Sequence, residues 1–288
     1  MKIFVTGASG YIGRAVAEAL RRRGHRVAGL TRSAVKARGL EAREIEAVIG
    51  DMRDSSAWKH AASRADVLIH CAVEYGAQYE ALDRETVNGL LACGGRVLYT
   101  SGVWQYGAGG PFDESTAFAG KPLMPWRTEH EKLVLAAKGL VIRPGCVYGG
   151  AGGLTGLWFE GAVEQKAAPI VGEGANRWAV VHREDLADLY VRASESALAG
   201  ELFNATDRSR FSVREMAAAA SHAAGAGGAV KSLALPEAEK LYGAMARGLA
   251  LDQHVDSSKA ARLLDWTPRF NGFTDHADRF FASWKAVR

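Results

Sequence analysis

The chain has 288 residues, 48% hydrophobic and 24% charged, with a formal net charge of +4. That suffices for one large domain or two unequal ones with a substantial core, while the charge excess is too small and too dispersed for a nucleic-acid surface. Cys71, Cys93 and Cys146 show no metal-ligand spacing, no apolar run approaches membrane-spanning length and no signal peptide precedes Met1. A cytoplasmic protein with reduced thiols and no metal is expected.

Ile3, Phe4 and Val5 read as a short buried strand. Gly7, Gly10 and Gly13 follow at three-residue spacing, and residues 14–23 read as a helix. A strand that turns directly into a helix aims unpaired backbone N–H groups and the positive end of the helix dipole at one spot, which suits a phosphate. Gly7 serves the tight turn, Gly10 lets a pyrophosphate approach the backbone, and Gly13 lets the helix pack close to the strand. The turn, with Ser9, Tyr11 and Ile12 beside its glycines, is therefore expected to bind a dinucleotide.

A second strand is expected over 26–30, followed by Thr31, Arg32 and Ser33. Folds that prefer NAD place a carboxylate there for the ribose 2′-hydroxyl. This chain has none, and Arg32 stands where a 2′-phosphate would lie, so NADP is expected over NAD. Further strands are expected over 47–50, 65–71, 95–100 and 140–143, with helices over 79–93 and 126–138. Such alternation predicts an α/β fold with a parallel, doubly wound sheet.

From Gly149 the texture becomes glycine-rich and then helical with scattered aromatics. A strand end near Val180 and Val181, a short strand over 202–205, and a helix from Ser212 with Glu215 in the capping-box position are expected. The expected organisation is a dinucleotide-binding domain over 1–148, completed by about 175–207. Residues 149–174 and 208–288 would form a smaller, discontinuous, mostly helical lobe over the strands' carboxyl ends.

Several motifs recur in a known order. They are Thr6-Gly7-Ala8-Ser9-Gly10-Tyr11-Ile12-Gly13, Gly50-Asp51-Met52-Arg53-Asp54, Ile69-His70-Cys71-Ala72, and Tyr99-Thr100-Ser101-Gly102 with Tyr106-Gly107. Further on come Ile142-Arg143-Pro144-Gly145-Cys146-Val147-Tyr148-Gly149, Val181-His182-Arg183-Glu184-Asp185-Leu186-Ala187 and Leu264-Asp265-Trp266-Thr267-Pro268. On these the chain resembles an extended or atypical short-chain dehydrogenase/reductase, of the NAD-dependent epimerase/dehydratase type. The resemblance implies that Asp51 and Met52 flank the adenine and that Cys71 and Ala72 flank the central ribose and diphosphate. It also implies that Thr100, Pro144, Gly145 and Cys146 lie along the cofactor, the last three at the nicotinamide.

The departures concern the chemistry. Active members of the family use a serine or threonine, and a tyrosine followed four residues later by a lysine that lowers the tyrosine's pKa. Here the serine position falls on Gly102, and residues 125–132 hold no tyrosine. One register places Trp126 and His130 at the pair, another Leu123 and Arg127. The family's asparagine aligns with Thr86, with Asp83 nearby. Tyr106 and His130 are the candidate replacement acids. Glu74 and Tyr75 are expected at the nicotinamide edge, and Gly102, Trp104, Trp126 and Trp178 around a pocket for a flat or apolar substrate. The expected function is an NADP-dependent oxidoreductase acting on a small carbonyl or hydroxyl compound, or an epimerase, as monomer or homodimer. A catalytically silent NADP-binding sensor is the alternative.

Overall fold

A parallel sheet carries the molecule. The computed structural model describes residues 1–74, 78–118 and 122–288. Its first half alternates β1 (Lys2–Thr6), α1 (Tyr11–Arg22), β2 (Arg26–Thr31), α2 (Ala34–Glu41), β3 (Glu46–Ile49), α3 (Ser56–Ala62), β4 (Val67–His70), α4 (Tyr79–Leu91) and β5 (Arg96–Thr100). Then come β6 (Gly109–Phe112), α5 (Pro125–Ala136), β7 (Leu140–Pro144), β8 (Cys146–Tyr148), α6 (Gly156–Gln165), β9 (Ala168–Val171), β10 (Val180–His182), α7 (Arg183–Glu195) and β11 (Glu201–Ala205). The remainder forms α8 (Val213–Ala223), β12 (Val230–Leu233), α9 (Leu235–Tyr242), α10 (Met245–Leu249), β13 (Gln253–Val255), α11 (Ser258–Leu264) and α12 (Ala277–Lys285).

Seven strands pair in the order β11-β7-β5-β4-β1-β2-β3, and every neighbouring pair is parallel. The doubly wound sheet expected from the alternation is what the chain builds. Helices cover both faces, which is why β4 and β7 are buried along their whole length. On one face α1 and α7 pack over Val5, Ile69 and Ile142, and on the other Trp58, Val87, Leu90 and Val134 pack over Phe4, Leu68 and Val97. Strand order reverses between β1 and β4, and such a switch point opens a crevice at the carboxyl ends.

Outside the seven-stranded sheet the chain contains more strand than its sequence texture suggests. β8 pairs with β10, β9 with β12 and β6 with β13, each as a short parallel ladder. The lobe core is aromatic: Trp158 stacks on Trp178 with ring centroids 5.1 Å apart, and Phe273 sits edge-on to Trp158. Single short strands with little alternation carry no period, so tertiary pairing alone defines them.

Candidate active site

A cleft of about 510 Å³ opens at the ends of β1, β2 and β4. Gly7, Ser9, Gly10, Tyr11 and Ile12 form one wall, Arg32, Asp51 and Met52 another, and Cys71, Ala72 and Glu74 a third. Ten of the residues expected on the cofactor thus meet in one crevice. Gly13 lies beneath it, while Thr100, Pro144, Gly145 and Cys146 lie outside this lining, at the ends of β5 and β7 and the start of β8.

The glycine turn has the required geometry. Gly7 has φ +69° and a Cβ there would come within 2.8 Å of the Ala72 backbone, while a Cβ on Gly13 would collide with Gly7 O. At Gly10 the only neighbour of an added Cβ among the described residues is Gly7 O at 3.1 Å, so that face stays open to the cleft. Gly10 caps α1 without a side-chain hydrogen bond and the first turn holds no acid. The first amides of the helix are therefore free to meet an anion. Tyr11 Oη donates to Gly149 O at 2.7 Å and ties the turn to the loop after β8.

The mouth of the cleft beyond β2 carries a cluster of charges, four of which pair with one another. Arg32 Nη1 lies 3.4 Å from Glu74 Oε1 and 3.9 Å from Asp51 Oδ2. Arg53 Nη2 donates to the same Glu74 oxygen at 2.6 Å, while Asp51 Oδ1 accepts the Arg53 backbone N–H at 2.9 Å. Glu74, expected at the nicotinamide edge, stands instead beside Arg32, because two guanidinium groups draw it there. Tyr75 lies outside the described residues. Arg53, and Ser33 and Lys36 at the start of α2, complete this end. Nothing in their local sequence distinguished them from solvated surface.

The other end of the cleft is drier. Thr100 Oγ1 lies 2.5 Å from Tyr190 Oη and donates to Cys71 Sγ at 3.4 Å. Burial pushes the Cys71 thiol up to about 11 and the Cys146 thiol up to about 12, so both stay protonated and unreactive near neutral pH. Arg127 Nη1 donates to Thr100 O at 2.8 Å, and its guanidinium lies over the Trp126 ring at 4.7 Å. Of the two registers for α5, the one with Leu123 and Arg127 thus brings a cation to the end of β5. Among the described residues, Arg127 Nε and the neighbouring Ser101 Oγ are buried without a partner. Orphaned donors at that point, together with the open face of Gly10, fit a nicotinamide dinucleotide lying from the glycine turn towards β5.

Both candidate acids are buried. His130 is 1% exposed and its Nδ1 lies 2.7 Å from Asp83 Oδ2. The same carboxylate accepts from Tyr99 Oη at 2.9 Å and sits 3.2 Å from His70 Nε2, whose other nitrogen is 2.6 Å from Thr6 Oγ1. Burial alone would raise Asp83, but the His70 charge and the hydrogen bonds from both histidines hold it well below the usual carboxylate range. His130 is held inside a network linking α4 and α5 to β1, β4 and β5, away from the cleft lining. Tyr106 is also 1% exposed. Its hydroxyl donates to Asn204 Oδ1 at 3.0 Å and Arg143 lies over its ring, and burial raises its pKa.

The tryptophans divide. Trp178 belongs to the lobe core and donates its indole N–H to Leu249 O at 2.9 Å, with one edge on a separate cavity of about 380 Å³. Trp126 is 9% exposed and packs edge-on against Tyr79 and His130. Trp104, half-buried after Gly102, fills the space beside Gly248 and so joins the sheet domain to the lobe. Indoles on predicted loops were taken into cores because each buries a large apolar area. Among the described residues no helix is long and apolar enough to cross a membrane, and no cluster could hold a metal.

Comparison with known proteins fits this geometry. An uncharacterized protein of Schizosaccharomyces pombe is 29% identical over 282 residues, covering 93% of this chain and 95% of its own. A 4-hydroxy-2-methyl-3-oxo-4-farnesyl-3,4-dihydroquinoline-1-oxide ketoreductase of Stigmatella aurantiaca is 27% identical over 237 residues, 74% of this chain and 70% of its own. The UDP-glucuronic acid 4-epimerase of Bacillus cereus, solved with UDP-glucuronic acid and NAD, superposes with a TM-score of 0.83 at 19% identity, with all of both chains covered. The model of the NAD dependent epimerase/dehydratase family matches residues 3–206. With its glycine turn, its switch-point cleft and that match over most of its length, the chain belongs to the NAD dependent epimerase/dehydratase family.

Proposed function

We propose that the protein is an NADP-dependent oxidoreductase that reduces a small carbonyl compound, or oxidises the corresponding alcohol, without the family's tyrosine–lysine pair. The observation that carries the cofactor choice is the pair Arg32 and Arg53 at the cleft mouth, with no carboxylate at the end of β2. The bound nicotinamide supplies the hydride. The amides of residues 11–13 would hold the pyrophosphate, Asp51 and Met52 the adenine, and Arg32 with Arg53 the 2′-phosphate.

At the other end, Thr100 and Arg127 would be the groups that meet the nicotinamide ribose. A guanidinium fixed on Thr100 O steadies negative charge developing on a nearby oxygen, and being always charged it cannot act as the acid. With His130 and Tyr106 enclosed, the proton is supplied by water or the substrate's own surroundings. The ketoreductase relative supports reduction of a carbonyl over sugar epimerisation. The protein works, in this reading, as a cytoplasmic monomer or homodimer on a small-molecule substrate.

The test is a fluorescence titration of NADPH and NADH against wild type and Arg32→Ala, followed by a carbonyl panel monitored by NADPH loss. NADPH should bind more tightly, and Arg32→Ala should lose roughly 1.5–3 kcal/mol of that preference. Equal wild-type affinities would overturn the cofactor assignment. Tight NADPH binding with no turnover on any carbonyl would make the protein a cofactor sensor instead.

A further inference from the structure

Four of the charges at the cleft mouth pair with one another, with Lys36 on the same lining. Arg32 and Arg53 face Asp51 and Glu74, two cations against two carboxylates. The carboxylates are held differently. Asp51 is fixed by its own turn, with Oδ1 accepting the Arg53 backbone N–H at 2.9 Å. Among the described residues Glu74 is held by the two arginines alone, and one oxygen, Oε1, serves both, at 2.6 Å from Arg53 Nη2 and 3.4 Å from Arg32 Nη1. An anionic oxygen bridging two guanidinium groups is what a phosphomonoester would present there. The carboxylate is also the less exposed partner, its side chain 22% exposed against 64% for Arg32 and 56% for Arg53.

We propose that Glu74 is a built-in competitor for the 2′-phosphate: it occupies the anion position between Arg32 and Arg53 in the free protein and must be displaced when a 2′-phosphorylated cofactor binds. The inference rests on the NADP reading above. A dianion entering the site would gain two guanidinium contacts but would meet the Glu74 charge if that side chain stayed. The carboxylate can leave readily, because ion pairs with exposed arginines are weak. Glu74 therefore sets how strongly the cleft prefers NADP over NAD. It also makes NADP binding move a residue in the same loop as Ala72 and Val73, which line the rest of the cleft.

The experiment compares wild type, Glu74→Gln and Glu74→Ala by calorimetric titration with NADPH and NADH, and with the fragments 2′,5′-ADP and 5′-AMP. Both substitutions should tighten NADPH and 2′,5′-ADP by about threefold to tenfold, the scale of the exposed ion pairs removed. NADH and 5′-AMP should change by less than about twofold. Unchanged or weakened NADPH binding would overturn the proposal, as would an equal gain for NADH. A loss of NADH affinity would show Glu74 holding the 2′-hydroxyl instead. The two readings fail separately. Wild type and Arg32→Ala that each bind NADPH and NADH alike would defeat the NADP assignment, whereas a wild-type NADPH preference untouched by Glu74→Gln would defeat the competitor alone.

Discussion

The mouth of the cleft and the interior around α5 treat charge in opposite ways. At the cleft mouth beyond β2, Arg32, Arg53, Asp51 and Glu74 stay in partial contact with water and pair loosely. Around α5, Asp83, His70, His130 and Tyr99 are withdrawn into the interior, and each is matched by a close partner. Exposed charges with weak partners can be rearranged by a ligand, whereas a buried charge is costly to leave unpaired. The mouth is therefore suited to recognition and the interior to holding the helix against the sheet, although family chemistry would have been sought at the second.

The largest effect expected from breaking this contrast is on stability. Asp83→Ala removes the acceptor shared by His70, His130 and Tyr99 and should cost about 3–5 kcal/mol in urea unfolding. Because Asp83 is held below the ordinary carboxylate range, the unfolded chain takes up a proton there more readily than the folded one. Its contribution is complete above about pH 4 and disappears as the pH falls towards the folded value. A variant as stable as wild type would show that the network holds nothing.

Gly10→Val tests the cleft. The backbone at Gly10 has φ −82° and the added Cβ meets only Gly7 O, so the fold should survive with little change in melting temperature. The side chain would stand where the pyrophosphate approaches, and cofactor affinity should fall by about a hundredfold or more. Normal NADPH binding by a folded Gly10→Val protein would remove the glycine turn from the site.

The half-buried carboxyl of Asp207 sharpens the comparison further. Burial pushes Asp207 up to about 7, against lowering by hydrogen bonds from the Ser209 backbone and Tyr148. The folded chain holds that proton more tightly than the unfolded one, so the stability cost of ionising it grows from about pH 4 to about pH 7. Asp207→Asn should relieve the cost, and its advantage in melting temperature should be greater at about pH 8 than at about pH 5, rising by up to ~1.4 kcal/mol per pH unit in that window. A gain independent of pH would mean that the carboxyl titrates normally.

The smallest effect is expected from Tyr106→Phe. The lost hydrogen bond to Asn204 should cost about 1 kcal/mol of stability and leave NADPH turnover unchanged. A fall in turnover at constant cofactor affinity would restore Tyr106 as a catalytic group.

The glycine turn, the parallel alternation of the sheet and the missing carboxylate after β2 were legible because each depends on short stretches of adjacent residues. Local backbone geometry requires Gly7, Gly10 and Gly13 wherever the chain goes next. The alternation of apolar runs and helices likewise requires a covered parallel sheet. The direction in which a side chain points from a helix, and what waits to receive it, involve partners far along the chain. His130 meets Asp83 from α4 and Tyr106 meets Asn204 from β11, and no local pattern announces either pairing. Glu74 reached Arg32 and Arg53 for the same reason, through long-range attraction between loops. By itself, then, the sequence determined the parallel, doubly wound sheet and the glycine turn between β1 and α1. Only the tertiary structure decided which charges stay in water to meet a ligand and which are buried, because desolvation and pairing depend on neighbours that folding alone brings together.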